Sequence, residues 1–186
     1  MKSLISLAIL AALLIVSCTD TPLAPIKSDN KSVQLIKLPP KAGLYVENDC
    51  FVTKTINGDQ GGTLKIKKSY VAIDGHTVKI DVKLKIKKNS FSGEATITMW
   101  VDDNNAAVWF TPHMVFNKPT ELDVKFEGIE FNELKLTNGN YDFVFINDND
   151  SIEEIDHNGV KVKENKGKIS VKKAKLNHFS RYAFSR

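Results

Sequence analysis

The sequence predicts an all-β fold, an antiparallel β-sandwich, on three observations. Apolar and polar residues alternate through most of the chain from about Ala42 onward. Turn-forming pairs break that alternation at roughly ten-residue intervals, the spacing of short strands in a sandwich. No sustained helical period separates one alternating run from the next. A sheet with one apolar side must cover it, and without helices a second sheet does so.

The elements follow in chain order. Val33 to Leu38 has the composition of an edge strand, closed by Pro39-Pro40. Cys50 stands at the start of a strand in the stretch Glu47-Asn48-Asp49-Cys50-Phe51-Val52, where an inert, partly buried thiol is expected rather than a reactive one. Asp74-Gly75 separates Tyr70–Ile73 from Val78–Ile86 as a hairpin turn of the kind that needs positive φ. Val78–Ile86 is the clearest strand: Val78, Ile80, Val82, Leu84 and Ile86 point one way, and Lys79, Asp81, Lys83 and Lys85 the other. Ala95, Ile97, Met99 and Val101 form another core-facing set, with Trp100 of opposite parity and therefore outward. Asp102 to Asn105 turns the chain into Val108-Trp109-Phe110. Leu122, Val124 and Phe126 alternate with Asp123, Lys125 and Glu127, and Tyr141, Phe143 and Phe145 repeat the pattern. Gly128 to Leu136 reads as a single helical turn. Asn158-Gly159 and Lys166-Gly167 are tight turns around Val160–Lys163 and Ile169–Val171.

The N-terminus is of another kind. Lys2 gives a positive start, and Leu4 to Val16 is apolar apart from Ser6. That run suits a secretory signal and is too short to cross a bilayer of about 30 Å as a helix. Ile15-Val16-Ser17-Cys18 resembles a bacterial lipobox: a branched residue at −3, a small one at −1 and a thiol, whose thiolate is the nucleophile that accepts the lipid. Residues 1–17 are therefore expected to be a signal peptide. Cys18 is the expected lipidation site, with a palmitate-bearing anchor holding the chain to a bacterial membrane. Residues 18–40 then form a tether, with four of the six prolines, and 41–186 the sandwich. The expected location is the cell envelope, facing periplasm or cell exterior. With Cys18 capped, Cys50 has no internal disulfide partner.

Charge excludes one class of partner. Loss of the signal removes only Lys2 from a net charge of +4, too mild a balance for a nucleic-acid binder. His76, His113, His157 and His178 stand singly with no metal-ligand spacing, so no metal site is expected among them. Asn147-Asp148-Asn149-Asp150-Ser151 has calcium-loop composition. It lacks the glycine and glutamate of an EF-hand loop, with Ile152 and Asn158 at those positions, and reads as a hairpin turn. No nucleophile elbow, phosphate loop or cofactor fingerprint appears, so neither a cofactor nor turnover of a substrate is expected.

Four segments occur in a familiar order: GGTL at Gly61–Leu64, KLKIKKNSFSGEATIT at Lys83–Thr98, VWFTPHMVFNKPTELDVKF at Val108–Phe126 and LNHFSRYAF at Leu176–Phe184. Together they resemble the β-sandwich domain shared by zonula occludens proteins, netrin receptors and ankyrins, and bacterial surface lipoproteins carrying a relative of it. Lys87-Lys88-Asn89-Ser90 departs from that pattern, which usually has a proline and a glycine-alanine pair there. The resemblance implies an interaction or scaffolding module. It also implies a possible self-cleavage between Phe179 and Ser180, with Ser180 as nucleophile and His178 assisting proton transfer; the plainer expectation is a final strand with Phe179 in the core.

Two binding surfaces complete the sequence expectations. Lys65, Lys67, Lys68, Lys79, Lys83, Lys85, Lys87 and Lys88 fall in and around two strands. Lys79, Lys83, Lys85 and Lys87, with Trp100, are the candidate contacts for an acidic polysaccharide or other anionic polymer. The competing expectation is a solvated face or an edge protected by lysine. Trp100 and Trp109 would form a sugar-stacking platform if exposed. The chain is thus expected to be a lipid-anchored, non-enzymatic interaction or structural module of the bacterial envelope, partnered by the membrane and by an envelope protein or polysaccharide.

Overall fold

A computed structural model describes residues 34–43, 50–131, 140–147 and 151–186. The expected signal peptide, Cys18 and the expected tether up to residue 33 lie outside the described residues. The strands, in chain order, are β1 (Phe51–Asn57), β2 (Gly62–Val71), β3 (Thr77–Ile86), β4 (Glu94–Val101), β5 (Ala107–Thr111), β6 (Val115–Glu127), β7 (Asp142–Ile146), β8 (Ile152–Glu154), β9 (Val160–Lys163), β10 (Lys168–His178) and β11 (Arg181–Ser185). They form two antiparallel sheets, one ordered β1-β4-β5-β11-β7-β8 and the other β2-β3-β6-β10-β9.

The expected alternation sets the register. In β3, Val78, Ile80, Val82, Leu84 and Ile86 are buried and the lysines between them exposed. Leu84 pairs with Leu64 and Leu122, and Val82 with Ile66 and Val124, so apolar rows run straight across the five-stranded sheet. Each side chain fully buried in this way contributes about 1.5–3 kcal/mol. In β10 the rows continue as Val171 opposite Val124 and Ala174 opposite Leu122. Between them β10 has Lys172 and Lys173 where β6 has only Asp123, and this one extra residue makes a bulge, with Lys173 at φ 53° and its N–H donated to Asp123 Oδ1 at 2.9 Å. The bulge restores the inward phase of β10, which a strict period of two would lose.

Aromatic residues fill the space where the chain changes sheets. Phe179, between β10 and β11, is fully buried; its ring stacks on Phe110 at 4.9 Å and meets Phe116 edge-on at 4.7 Å. Tyr182 and Phe184 continue this packing against Phe143. Between β3 and β4, in the stretch Lys87–Ser90, Asn89 takes φ 62° and Ser90 is fully buried. Phe91 there lies so close to Gly58 that a Cβ would stand 2.1 Å from its carbonyl oxygen. Cys50 is 4% exposed, just before β1, more deeply buried than expected. Gly128 to Phe131 forms no helical turn; Asn132 to Leu136 lie outside the described residues. Lys166 ends a 3-10 turn (Glu164–Lys166) closed by Gly167 in the left-handed region. Among the described residues no helix is long and apolar enough to cross a membrane.

The sandwich reaches further back than residue 41. Ile36 donates its N–H to the Phe184 carbonyl at 3.0 Å and accepts from Ala106 N–H at 2.7 Å. Ile36 and Leu38 are in the main core, while Leu35 packs on the small cluster Ala107, Val144, Ile146 and Ala183 on the outer side of the six-stranded sheet. Tyr70 donates its hydroxyl to the Pro39 carbonyl at 2.7 Å, and burial pushes that phenol well above its ordinary pKa. Residues 34–40 thus belong to the folded unit rather than to a tether, because alternate apolar side chains give them two clusters to fill. Ile36→Ala should lower unfolding free energy by about 2–5 kcal/mol in urea titration, the range for a core methylene deletion; an effect under about 0.5 kcal/mol would make the segment peripheral.

Candidate functional site

Strand parity carries one side chain from each strand of the six-stranded sheet into a single outward row. Phe51 pairs with Trp100, Trp100 with Trp109, Trp109 with Arg181, Arg181 with Ile146, and Ile146 with Ile152. The hairpin of β4 and β5 makes the two tryptophans cross-strand neighbours, rings 6.1 Å apart and only 10° from parallel. The Arg181 guanidinium carbon lies 4.7 Å from the Trp109 ring centre, a cation–π distance. Flanking this row, Thr53 and Thr98, then Thr55 and Thr96, share hydroxyl hydrogen bonds of 2.9 Å.

Asp102 organises the centre of the row. Its Oδ1 accepts the N–H groups of Asn104 and Asn105, both at 2.8 Å, and so shapes the turn between the two tryptophan strands. Its Oδ2 accepts the Trp109 indole N–H at 3.4 Å and pairs with Arg181 Nη2 at 3.6 Å. One carboxylate therefore fixes both the turn and the two side chains that the turn brings together. Beside them opens a cleft of about 340 Å³ lined by Trp100, Trp109, His113, Asn147 and Arg181. Flat aromatic faces beside amide, imidazole and guanidinium donors can hold a ring with apolar C–H faces and hydroxyl edges.

The lysine row lies on the other sheet. Across β3 and β6, Lys79 pairs with Glu127, Lys83 with Asp123 and Lys85 with Glu121; Lys87 Nζ reaches Glu121 Oε1 at 2.9 Å. The hydrogen bond and charge of Lys87, with the charges of Lys85 and Lys173, hold the Glu121 carboxyl below its ordinary pKa. Burial pushes Glu127 up, but Lys125 and Lys168 outweigh it and hold that carboxyl low too. Acidic side chains on β6 thus face the row expected to meet an anionic polymer. Trp100 and the row Lys79, Lys83, Lys85, Lys87 belong to opposite sheets, so the five residues do not form one site. Period two gives each strand's outward residues but not which sheet the strand joins.

His178, Phe179 and Ser180 form a packed corner. Phe179 N–H donates to the Met114 carbonyl at 2.9 Å, and the Ser180 carbonyl accepts Phe110 N–H at 3.0 Å. The His178 ring meets Phe145 edge-on at 4.5 Å and lines a cleft with Glu153 and Lys175, whereas Ser180 lines the tryptophan cleft. Tyr182 donates its hydroxyl to the His178 carbonyl at 2.6 Å, and burial, then the charge of Glu153, raises that phenol's pKa. Neither Phe179 nor Ser180 has positive φ, and the bond between them is trans.

His157 and His76 also acquire partners. His157 Nε2 bonds Asp142 Oδ1 at 2.7 Å, and its Nδ1 accepts Gly159 N–H at 2.9 Å. His76, expected to stand alone, meets Asp74 and Glu130 in space. Asn147 and Ser151 bond each other by backbone and side chain, as a hairpin turn requires; Asp148 to Asp150 lie outside the described residues.

Asp102 and Arg181 were not anticipated as site residues. Trp100 and Trp109 were visible, standing on either side of one turn; Arg181 arrives from a strand far along the chain, which no local pattern announces. Asp102→Ala should free both the turn and the tryptophan pair: about 1–3 kcal/mol less stable, with tryptophan emission more readily quenched by acrylamide. Unchanged quenching would remove Asp102 as the organiser. Comparison with protein-family models, with curated proteins and with solved structures finds no match to this chain.

Proposed function

We propose that this chain is a lipid-anchored, non-enzymatic binding module of the bacterial envelope, and that the cleft beside Trp100, Trp109 and Arg181 takes a carbohydrate chain. The observation that carries the ligand class is the outward row, in which two nearly parallel indoles stand beside fixed polar donors. Pyranose rings present apolar C–H faces to such a surface and hydroxyls to its rim. The export address rests on the apolar run Leu4–Val16 and on Cys18 after Ser17. The likeness to the sandwich of zonula occludens proteins, netrin receptors and ankyrins accords with a binding role, and rests on the segments between Gly61 and Phe184 alone.

An acidic polymer on the lysine row is the weaker reading. The cross-strand acids Glu121, Asp123 and Glu127 already neutralise part of that surface. Self-cleavage after Phe179 is weaker still, since its histidine and serine line different clefts and the aromatic corner packs well as it stands.

Two measurements test this. Titration with a neutral glucan and an acidic polyuronate should perturb tryptophan emission on binding. Trp100→Ala or Trp109→Ala should then weaken binding about tenfold, roughly 1.4 kcal/mol, while Lys83→Glu with Lys85→Glu changes it little. Retention that follows the lysines and ignores the tryptophans would reverse the ranking, and no retention of either polymer would sink the carbohydrate reading.

The intact mass of the protein extracted in detergent from a lipidating bacterial host should equal Cys18–Arg186 plus acyl chains. An unlipidated, uncut chain would refute the anchor, and a species ending at Phe179 would restore self-cleavage.

A further inference from the structure

We propose that Asp74, His76 and Glu130 form a binding site for a divalent first-row transition-metal ion, with zinc the ion best suited to their donors. Asp74 and His76 flank Gly75 in the β2–β3 turn, and Glu130 follows the end of β6 on the far side of β3. One ligand atom from each lies within 4.8 Å of the other two. His76 Nδ1 stands 2.5 Å from Asp74 Oδ2 and 3.2 Å from Glu130 Oε1.

The far side of the imidazole decides its chemistry. His76 Nε2 lies 2.8 Å from the Gly128 carbonyl oxygen, which can only accept, so Nε2 carries a proton. In the neutral ring this leaves the Nδ1 lone pair aimed at two carboxylates. A proton on Nδ1 makes the ring a donor to the carboxylates beside it; a metal ion in its place would take a lone pair from all three. An imidazole whose second nitrogen donates to a backbone carbonyl is the arrangement by which metal sites fix their histidines.

The backbone around each donor is held. Asp74 Oδ1 accepts the His76 N–H at 3.1 Å, and Gly75 donates to the Ala72 carbonyl at 2.9 Å. Gly128 has φ 87°, and a Cβ there would stand 2.6 Å from the Thr77 carbonyl oxygen, so only glycine brings its carbonyl so close to β3. Next to Glu130, Ile129 is buried and donates its N–H to the Gly167 carbonyl at 2.9 Å. The side chains of Asp74, His76 and Glu130 keep 51%, 29% and 34% of their surface, so an ion reaches them from solvent.

Donor type and spacing select the ion. One imidazole with two carboxylates suits zinc better than magnesium or calcium, which take oxygen donors only. Tetrahedral zinc with bonds of about 2.0–2.2 Å needs ligand atoms about 3.3–3.6 Å apart. The spacing from Nδ1 to Glu130 is close to this, and that to Asp74 opens by about 1 Å through rotation of an exposed carboxylate. The fourth position is left to water or to an exogenous ligand.

The test is a zinc titration of the full chain in detergent at pH 7.5 by chelator competition, with long-range proton–nitrogen spectra of the histidines. Saturable binding is expected, weakened at least about tenfold by His76→Ala and by Glu130→Gln. Asp74→Asn should weaken it too while keeping the turn, since an amide oxygen still accepts the His76 N–H. In the wild-type spectra, zinc should shift His76 Nδ1 while Nε2 keeps its proton, a readout independent of whether any variant folds. Absence of saturable zinc binding would overturn the proposal. So would affinity unchanged by His76→Ala, calcium or magnesium binding more tightly than zinc, or metal on Nε2; the cluster would then be a protonated histidine between two carboxylates.

Discussion

The structure depends on one constraint: each sheet can bury a single side, and the two buried sides have only each other to meet. Once Leu64, Val82, Val124 and Val171 face inward, their neighbours in sequence are committed outward, because successive side chains on a strand point to opposite faces. The bulge in β10 demonstrates how strict the constraint is. One extra residue is set into the strand, and Lys173 enters the left-handed region, to keep Val171 and Ala174 in the same layer. The cost of that conformation is offset by the Asp123 hydrogen bond and by the core row it preserves.

A chain confined to two facing sheets must also cross between them, and its crossings are where aromatic residues gather. Phe110, Phe116 and Phe179 fill the last crossing, and Phe91 with Gly58 fills an earlier one. A corner has no sheet neighbour on one side, so a large ring replaces the missing strand as a source of buried area. This gives Phe179 and its neighbours a full structural account. The same crossing delivers Arg181 to Trp109, so packing at the corner and assembly of the outward row come from one piece of chain.

Strands, their phase and most turns were legible in the sequence because they are local: a period of two and a pair such as Asp74-Gly75 need only a few residues of context. Trp100 could be placed outward for the same reason. What was not legible is pairing. Which sheet a strand joins depends on contacts between distant segments, so the lysine row and Trp100 read as one surface when they lie on two. Asp123 and Glu127 are visible as outward residues of their strand, yet nothing local places them beside Lys83 and Lys79. His76 stood alone in sequence because Glu130 comes to it only after β3 and β6 have paired. The segment at Ile36 carries a strand-like alternation that in the structure makes only isolated bridges, and the prolines on either side give it the composition of a tether.

The two outer faces now divide by how their charges are arranged. On the five-stranded sheet, lysines and carboxylates sit opposite one another, so the fold itself satisfies much of their field. Exposed pairs of this kind are worth at most about 1 kcal/mol each and add little to stability. Their effect is on association: interleaved charge keeps a long sheet soluble, and the lysines of the outermost strand, β2, hinder another strand from pairing with it. On the six-stranded sheet, charge is sparse and the centre is aromatic. Asp102 spends its two oxygens on a turn and on Arg181, fixing a guanidinium over an indole instead of leaving it to solvent. A buried-side constraint common to both sheets therefore leaves one outer face of interleaved charge and another built around half-covered rings.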